Sequence, residues 1–227
     1  MPLISLYQYT TETGLVSILE SKRIKISQPW STNDITEGVA DGETTQREEL
    51  KKYGYICLSA TCTSPAMWGY YAARSRGACL RFDFPCINPQ AETLTYADHY
   101  MKCTRFLRKV KYSETKATGN DLHELLATKS TDWQHEKEYR ALYELSKLSP
   151  NDIEYGSTTC TYYARDIMKY LTGIILGARS NIQTTDLHSI IQRKLRIPID
   201  IYRVSSAGSA FEFQLKCCHR EERDPCM

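Results

Sequence analysis

The stretch TDWQHEKEYRALYEL, residues 131–145, has Glu136, Glu138 and Arg140 at two-residue spacing, which is the period of a β-strand. Such a strand places Glu136, Glu138 and Arg140 on one face, with successive side chains about 6–7 Å apart. The opposite face then holds Lys137, Tyr139, Ala141 and Tyr143. A strand that is charged on one face is either exposed to solvent or lines a site. On a helix, Glu136 and Arg140 would instead form an ordinary i,i+4 pair.

Strand-like and helical segments alternate on both sides of this stretch. Apolar, β-rich runs predict strands, of which the clearest are YICLSAT (55–61), GACLRFDFP (77–85) and YLTGIILGA (170–178). Helices are predicted at TTETGLVSILESKRI (10–24), SPAMWGYYAAR (64–74), GNDLHELLATK (119–129) and TTDLHSIIQRKLRI (184–197). The segments PIDIYRVS and AFEFQLKC are expected to close the chain as an antiparallel pair. The pattern predicts one α+β domain over residues 1–216, with seven or eight short strands, and a polar tail at 217–227.

The composition is that of a soluble globular protein. Of the 227 residues, 41% are hydrophobic and 25% are charged, and the formal net charge is +2. This small charge predicts no strong attraction to nucleic acid, although RFLRKVKY (105–112) is a candidate local basic patch. No apolar run approaches the roughly 18 residues that cross a membrane, and the first residues lack a secretory signal. We therefore expect a cytoplasmic protein with no membrane partner.

The cysteines and histidines do not predict a metal centre. Nine irregularly spaced cysteines do not indicate a disulfide framework, and several lie in apolar strand-like runs. The segment CCHREERDPC, residues 217–226, lacks the paired C-x-x-C knuckles of a strong zinc site. The five histidines do not cluster at ligand spacing, so we predict no metal site.

Four groupings remain as candidate sites, because the chain has no phosphate loop and no G-x-G-x-x-G, H-E-x-x-H or G-x-S-x-G motif. They are LYQYT (6–10), STNDITE (31–37), MWGYYA (67–72) and EKEYR (136–140). Each has a structural alternative: a half-buried strand, an Asx-turn at Asn33 and Asp34, aromatic packing, or a plain ion pair. Trp68 and Tyr71 could instead offer a flat surface to a planar ring.

Taken in order, these segments resemble a bacterial family known only as domain of unknown function 2971. The resemblance rests on LYQYT, the Asn33–Asp34 turn, MWGYYA, GACLRFDF, the stretch KSTDWQHEKEYRALYE and the strand IILG. The long stretch follows the family pattern Lys-x-x-x-Trp-x-x-Glu-x-Glu-aromatic-Arg. The chain departs from the pattern at four positions: Gln8 replaces a Lys or His, Thr32 and Ile35 replace Phe and Pro, and Tyr70 replaces a His.

A second resemblance, at the level of the fold, is to ADP-ribosyltransferases, especially their DNA-targeting toxin branch. In that fold a first strand with a polar or basic residue precedes a helix, and a glutamate lies on a late strand. The resemblance implies mixed or antiparallel sheets with flanking helices, and NAD as substrate. Carried over to this chain, Gln8 takes the first position, Tyr71 the middle one and Glu138 the last, while Glu136 completes a Glu-x-Glu pair.

The resemblance implies an NAD-dependent ADP-ribosyltransferase or NAD glycohydrolase, of the kind found in toxins or phage defence. Cleavage of the nicotinamide–ribose bond produces an oxocarbenium-like centre, which the carboxylate of Glu138 would stabilise. Glu136 would orient or deprotonate the acceptor, a protein or a nucleic acid. The expected nucleotide contacts are Gln8, Tyr9, Asn33, Trp68, Tyr71 and Arg140.

Two alternatives remain open at the level of the sequence. The first is a non-catalytic module on the same fold that binds a nucleotide or a protein. The second is a magnesium-dependent nuclease that uses Asp34, Glu136 and Glu138 around the metal, since carboxylates suit that ion.

Overall fold

The computed structural model describes residues 2–32, 34, 48–85, 93–97, 104–117, 121–208 and 213–220, which form an α+β structure. The strands are β1 (Leu3–Thr10), β2 (Ile24–Ile26), β3 (Tyr53–Ser59), β4 (Ala78–Pro85), β5 (Thr93–Ala97), β6 (Thr104–Lys109), β7 (Lys111–Ser113), β8 (Thr128–Ser130), β9 (Glu138–Glu144), β10 (Ile153–Tyr155), β11 (Cys160–Ala164), β12 (Leu171–Leu176), β13 (Asp200–Ser206) and β14 (Phe213–His219). The helices whose bounds are fully described are α1 (Glu12–Ser21), α2 (Pro65–Tyr71), α3 (Leu122–Leu125) and α4 (Thr184–Lys194), and residues 48–50 are also helical. No helix among the described residues is both long enough and apolar enough to cross a membrane.

The chain forms two compact units, each assembled from three segments. The first unit comprises Met1–Ile4, Ile24–Leu58 and Phe84–Ala164, and the second comprises Ser5–Arg23, Ser59–Asp83 and Arg165–Met227. The prediction of one domain over residues 1–216 stays a prediction. The last strand, β14, extends to His219, so residues 217–219 of the predicted tail are strand.

The first unit contains the strand order β3-β9-β6-β5, a three-stranded sheet β10-β11-β2 and the pair β7-β8. β6 pairs antiparallel with β9, whereas β7 and β8 pair in parallel, with Tyr112 opposite Lys129. Its core includes the buried residues Leu50, Tyr55 and Leu126. The parallel pairing of two three-residue strands brings Tyr112 and Lys129 together before β9 begins.

The second unit contains the strand order β14-β13-β12-β4-β1. β12 pairs in parallel with β13 and antiparallel with β4, and β14 closes the chain antiparallel to β13, as predicted. Parallel neighbours need a crossover connection, and α4 supplies it between β12 and β13. The unit is therefore a mixed sheet, and its core includes the buried residues Cys62, Trp68, Ala72, Cys79, Ile175 and Val204.

Helix α1 shows how local sequence sets an element boundary in the second unit. The Thr11 side chain accepts a hydrogen bond from the backbone N–H of Gly14 at 3.0 Å, so Thr11 is the cap, where the sequence offered either Thr11 or Thr13. Leu15 and Leu19, four residues apart, bury one face. The helix ends where Lys22 adopts a left-handed conformation and donates its N–H to the Ile18 carbonyl.

The number of strands was predicted wrongly, because the described residues contain fourteen instead of seven or eight. Two of the strands that were not predicted, β8 and β10, have three residues each, too few for an alternating pattern to be visible. The segment FLRKVKY (106–112), which was expected to form one strand, is interrupted at Val110 and is divided between β6 and β7. The predicted helix at 119–129 is shortened to α3, with Asp121 as its cap.

Candidate functional site

The charged residues of the opening stretch lie in the first unit, but they do not share one strand. Residues Thr131–Glu136 form a 3₁₀ helix, and Lys137 then takes a left-handed conformation with a φ of 47°. This turn corrects the prediction that Glu136 is part of the strand, because β9 begins only at Glu138. A left-handed residue interrupts the extended backbone. Glu136 therefore lies in the turn that precedes β9 and not on the strand that carries Glu138.

Arg140 binds the carboxylate of Glu138 with two hydrogen bonds. Its Nε lies 2.9 Å from Oε1 of Glu138, and its Nη2 lies 3.1 Å from Oε2. The remaining guanidinium nitrogen, Nη1, donates to the Leu126 carbonyl at 2.6 Å, and the group lies 4.3 Å from the centre of the Tyr55 ring. Arg140 is only 1% exposed, so its charge is compensated by protein groups and not by water.

Lys129 connects the two carboxylates. Its Nζ lies 2.7 Å from Oε2 of Glu136 and 3.6 Å from Oε2 of Glu138. The ammonium also lies 4.7 Å from the ring centre of Trp133, a cation–π contact. Two carboxylates and two cations therefore form a buried group with no net formal charge.

The backbone at the start of β9 is fixed by a side chain from β7. The N–H of Glu138 donates to the hydroxyl oxygen of Tyr112 at 2.8 Å. Burial, assisted by the negative charges of Glu138 and Glu136, raises the pKa of Tyr112 to about 12. Tyr112 thus stays a neutral phenol near neutral pH, and its oxygen accepts this hydrogen bond.

Glu138 is ionised at neutral pH. Burial raises the pKa of its carboxyl group, but the charge and hydrogen bonds of Arg140, the charge of Lys129 and a hydrogen bond from Cys57 outweigh burial. The net effect is a pKa below the ordinary value. A fixed, buried carboxylate of this kind can stabilise a positive charge, and it can also simply complete an ion-pair network.

Two of the other candidate residues form an aromatic cluster inside the second unit. Trp68 is fully buried, and its indole N–H donates to the Cys62 carbonyl at 2.7 Å. The Tyr9 ring meets Trp68 edge to face at 5.3 Å, and the Tyr9 hydroxyl donates to the Thr61 carbonyl at 2.9 Å. The assignment of Tyr9 and Trp68 to a nucleotide stays a prediction, and their observed contacts are those of core packing.

The remaining candidates are placed as follows. Tyr71 is partly buried and packs edge to face against the exposed Tyr70, with ring centres 6.4 Å apart. The Oε1 atom of Gln8 is buried and accepts no hydrogen bond from the described part of the chain. Asn33 lies outside the described residues, whereas Asp34 is described and is 7% exposed.

The structure adds three residues to those selected from the sequence: Lys129, Tyr112 and Tyr55. Lys129 had a usable signal, because it is the first residue of the Lys-x-x-x-Trp pattern four positions before Trp133. No sequence pattern pointed to Tyr112 or Tyr55, because only the pairing of β7 with β8 and the packing of β3 beside β9 bring them to Glu138. Within the described residues, no group of three or more His, Cys, Asp or Glu side chains could hold a metal ion.

The candidate charges fall inside a segment with a recognisable family signature. Residues 67–141 match the model of a family described as "Protein of unknown function (DUF2971)". This match covers about a third of the chain and includes Trp68, Lys129, Glu136, Glu138 and Arg140. No curated protein and no solved structure matches the chain significantly. The similarity to ADP-ribosyltransferases stays a prediction from the sequence.

Proposed function

We propose that this protein cleaves NAD at the nicotinamide–ribose bond, with Glu138 as the carboxylate that stabilises the sugar cation. The observation that carries the proposal is that Glu138 is ionised and is held at the start of β9 by two hydrogen bonds from Arg140. A carboxylate oriented before the reaction stabilises a developing positive charge more strongly in a protein interior than in water. The choice of NAD rests on the sequence resemblance.

One oxygen of Glu138 retains capacity for a substrate hydroxyl. A carboxylate offers about four acceptor positions, of which Arg140 uses one on each oxygen and the Cys57 thiol uses another. Lys129 lies 3.6 Å from Oε2, which is longer than a hydrogen bond. One acceptor position of the carboxylate therefore remains for a ribose hydroxyl, with both bonds from Arg140 intact.

The neighbouring charges act in this proposal as positioning groups. Glu136 binds Lys129 at 2.7 Å and so fixes the ammonium beside Glu138. Arg140 fixes the plane of the Glu138 carboxylate and is itself held by the Leu126 carbonyl, while its expected contact with the nucleotide stays a prediction.

A second candidate function is a non-catalytic binding module, which is the alternative favoured by burial. The Glu138 side chain is only 4% exposed, and buried ion pairs of this type also serve to complete a core. In that case the Glu138–Arg140 pair stabilises the first unit and takes no part in chemistry.

The two candidates are separated by measuring free nicotinamide after incubation with NAD, together with NAD binding by calorimetry. For cleavage, we expect release by the wild-type protein and about 100- to 1,000-fold slower release by Glu138→Gln, because one transition-state contact is lost. Glu144→Gln, at the other end of β9, is the matched control and should retain the wild-type rate. Glu138→Asp keeps the negative charge but withdraws it by one methylene, so it tests placement without leaving Arg140 opposite a neutral group.

The outcomes that contradict NAD cleavage are equally specific. Absence of release by the wild-type protein overturns it, as does an unchanged rate in folded Glu138→Gln or Glu138→Asp. NAD binding without release supports the binding module instead. Thermal unfolding of each variant establishes that the rates refer to folded protein.

A further inference from the structure

The second unit contains an open cavity of about 340 Å³ whose wall carries two arginines. Arg74 lies in the loop after α2 and Arg179 in the loop after β12, and both are exposed. The rest of the wall is formed by Gly69, Ser75, Ala178, Ser206 and Phe213. Two arginines at one cavity give this part of the surface a positive potential that attracts anions.

The loop that carries Arg74 has a strained backbone. Residues 73–75 have φ angles of 48°, 58° and 65°, the left-handed region, and none of them is glycine. The loop is held by hydrogen bonds from the Ser75 N–H to the Trp68 carbonyl and from the Gly77 N–H to the Ala72 carbonyl. Such strain persists only where the surroundings impose it, and it concentrates at ligand sites.

Backbone contacts bring the two arginine loops against each other. The Arg179 N–H donates to the Ser75 carbonyl at 2.9 Å, and the Gly177 N–H donates to the Gly77 carbonyl at 2.9 Å. A Cβ atom on Gly177 would lie 2.2 Å from the Ser75 carbonyl oxygen, so this approach requires glycine. Arg74 and Arg179 are thus neighbours because of main-chain pairing between their loops.

A third arginine supports the loop after β12 and does not line the cavity. The Arg203 guanidinium donates to the carbonyls of Gly177, Ser180 and Ile182 at 3.0–3.1 Å. These carbonyl oxygens are thereby occupied and do not oppose an incoming anion. Preorganised loops of this kind lower the entropic cost of binding.

The charges of Arg74 and Arg179 are not neutralised by the described part of the chain. Other arginines of the second unit have carboxylate partners: Arg81 binds Asp83 at 2.9 Å, and Arg193 binds Glu20 at 2.6 Å. Among the described residues, no carboxylate lies within ion-pair distance of Arg74 or Arg179. Their donors are therefore available to a ligand.

We propose that this cavity binds a small organic phosphate, with Arg74 and Arg179 holding the phosphate group. Guanidinium groups match phosphate oxygens in geometry and can bind them with paired hydrogen bonds. Ser75 and Ser206 also line the cavity, and its mainly apolar lining, which includes Phe213, suits the organic part of the ligand. The volume is near the lower end of the range for ligand sites, which suits a molecule the size of a mononucleotide. This site does not depend on NAD cleavage.

The test is calorimetric titration of the full chain with AMP, ribose 5-phosphate and adenosine. We expect the two phosphates to bind and adenosine to bind at least about tenfold more weakly, because charge-assisted hydrogen bonds to the phosphate are lost. Arg74→Gln and Arg179→Gln should each weaken AMP binding by about tenfold or more. Arg76→Gln is the matched control, because Arg76 is exposed in the same loop but does not line the cavity.

Binding of either phosphate that requires both arginines supports the proposal. The proposal is overturned if neither phosphate binds, if adenosine binds as tightly as AMP, or if Arg76→Gln weakens binding as much as Arg74→Gln. Since Arg74 is in a left-handed conformation, thermal unfolding is measured for each variant. If Arg74→Gln is unstable, Arg179→Gln and the charge-retaining Arg74→Lys decide the outcome.

Discussion

Arg140 binds both carboxylate oxygens of Glu138 from two positions further along the same strand. Residues i and i+2 of a strand lie on one face, so the pairing follows directly from the extended backbone. Both residues are almost completely buried, Glu138 at 3% and Arg140 at 1% exposure. Each therefore depends on the other, because water cannot replace the missing partner.

Removal of the Glu138 charge is expected to destabilise the protein strongly. Glu138→Gln leaves Arg140 buried without its carboxylate, which typically costs about 3–5 kcal/mol in the free energy of unfolding. Urea denaturation measures this loss. The control is Glu144→Gln at the other end of β9, which removes a surface ion pair with Lys147. This variant should leave the urea midpoint unchanged. Similar losses in the two variants would show that the buried pair contributes no more to the free energy of unfolding than the pair at Glu144.

The same carboxylate predicts how stability depends on pH. Its pKa in the folded protein lies below the reference value of 4.5, so the unfolded chain takes up the proton at higher pH than the folded protein does. The contribution of Glu138 is therefore complete above pH 4.5 and is lost as the pH falls through the folded pKa. The free energy of unfolding, measured by urea denaturation, should fall more steeply below pH 4.5 in the wild-type protein than in Glu138→Gln. Equal slopes would contradict the prediction.

Two glycines of the second unit are expected to respond to alanine with opposite signs. Gly177→Ala places a methyl group 2.2 Å from the Ser75 carbonyl oxygen, and such overpacking costs about 1–3 kcal/mol. At Gly69, within α2, a Cβ atom meets nothing within 4 Å. Gly69→Ala should therefore stabilise the protein by about 0.5–1 kcal/mol, since glycine is a poor helix former. Thermal unfolding measures the stability of both variants. A loss of stability in Gly69→Ala would refute the prediction for that glycine.

Elements with long patterns were predictable from the sequence, and turns were not. The apolar run at Leu171–Leu176 is a buried strand, as predicted, and α1 begins at the Thr11 cap. The pattern at 136–140 predicted one continuous strand, but the left-handed Lys137 divides it. Alternation of residue types does not report a single left-handed residue, because the conformation of Lys137 is imposed by the turn around it.

The sequence by itself determined the α+β class, the buried strands β4 and β12, and the placement of Glu138 and Arg140 on one face of a strand. These features depend on local periodicity, which the residue types at neighbouring positions determine. Only the tertiary structure decided that Lys129, Tyr112 and Tyr55 surround that pair, and that Arg74 and Arg179 meet at one cavity. Those contacts join residues far apart in the chain, and they depend on strand pairing and on close approach at glycine, neither of which a one-dimensional pattern specifies.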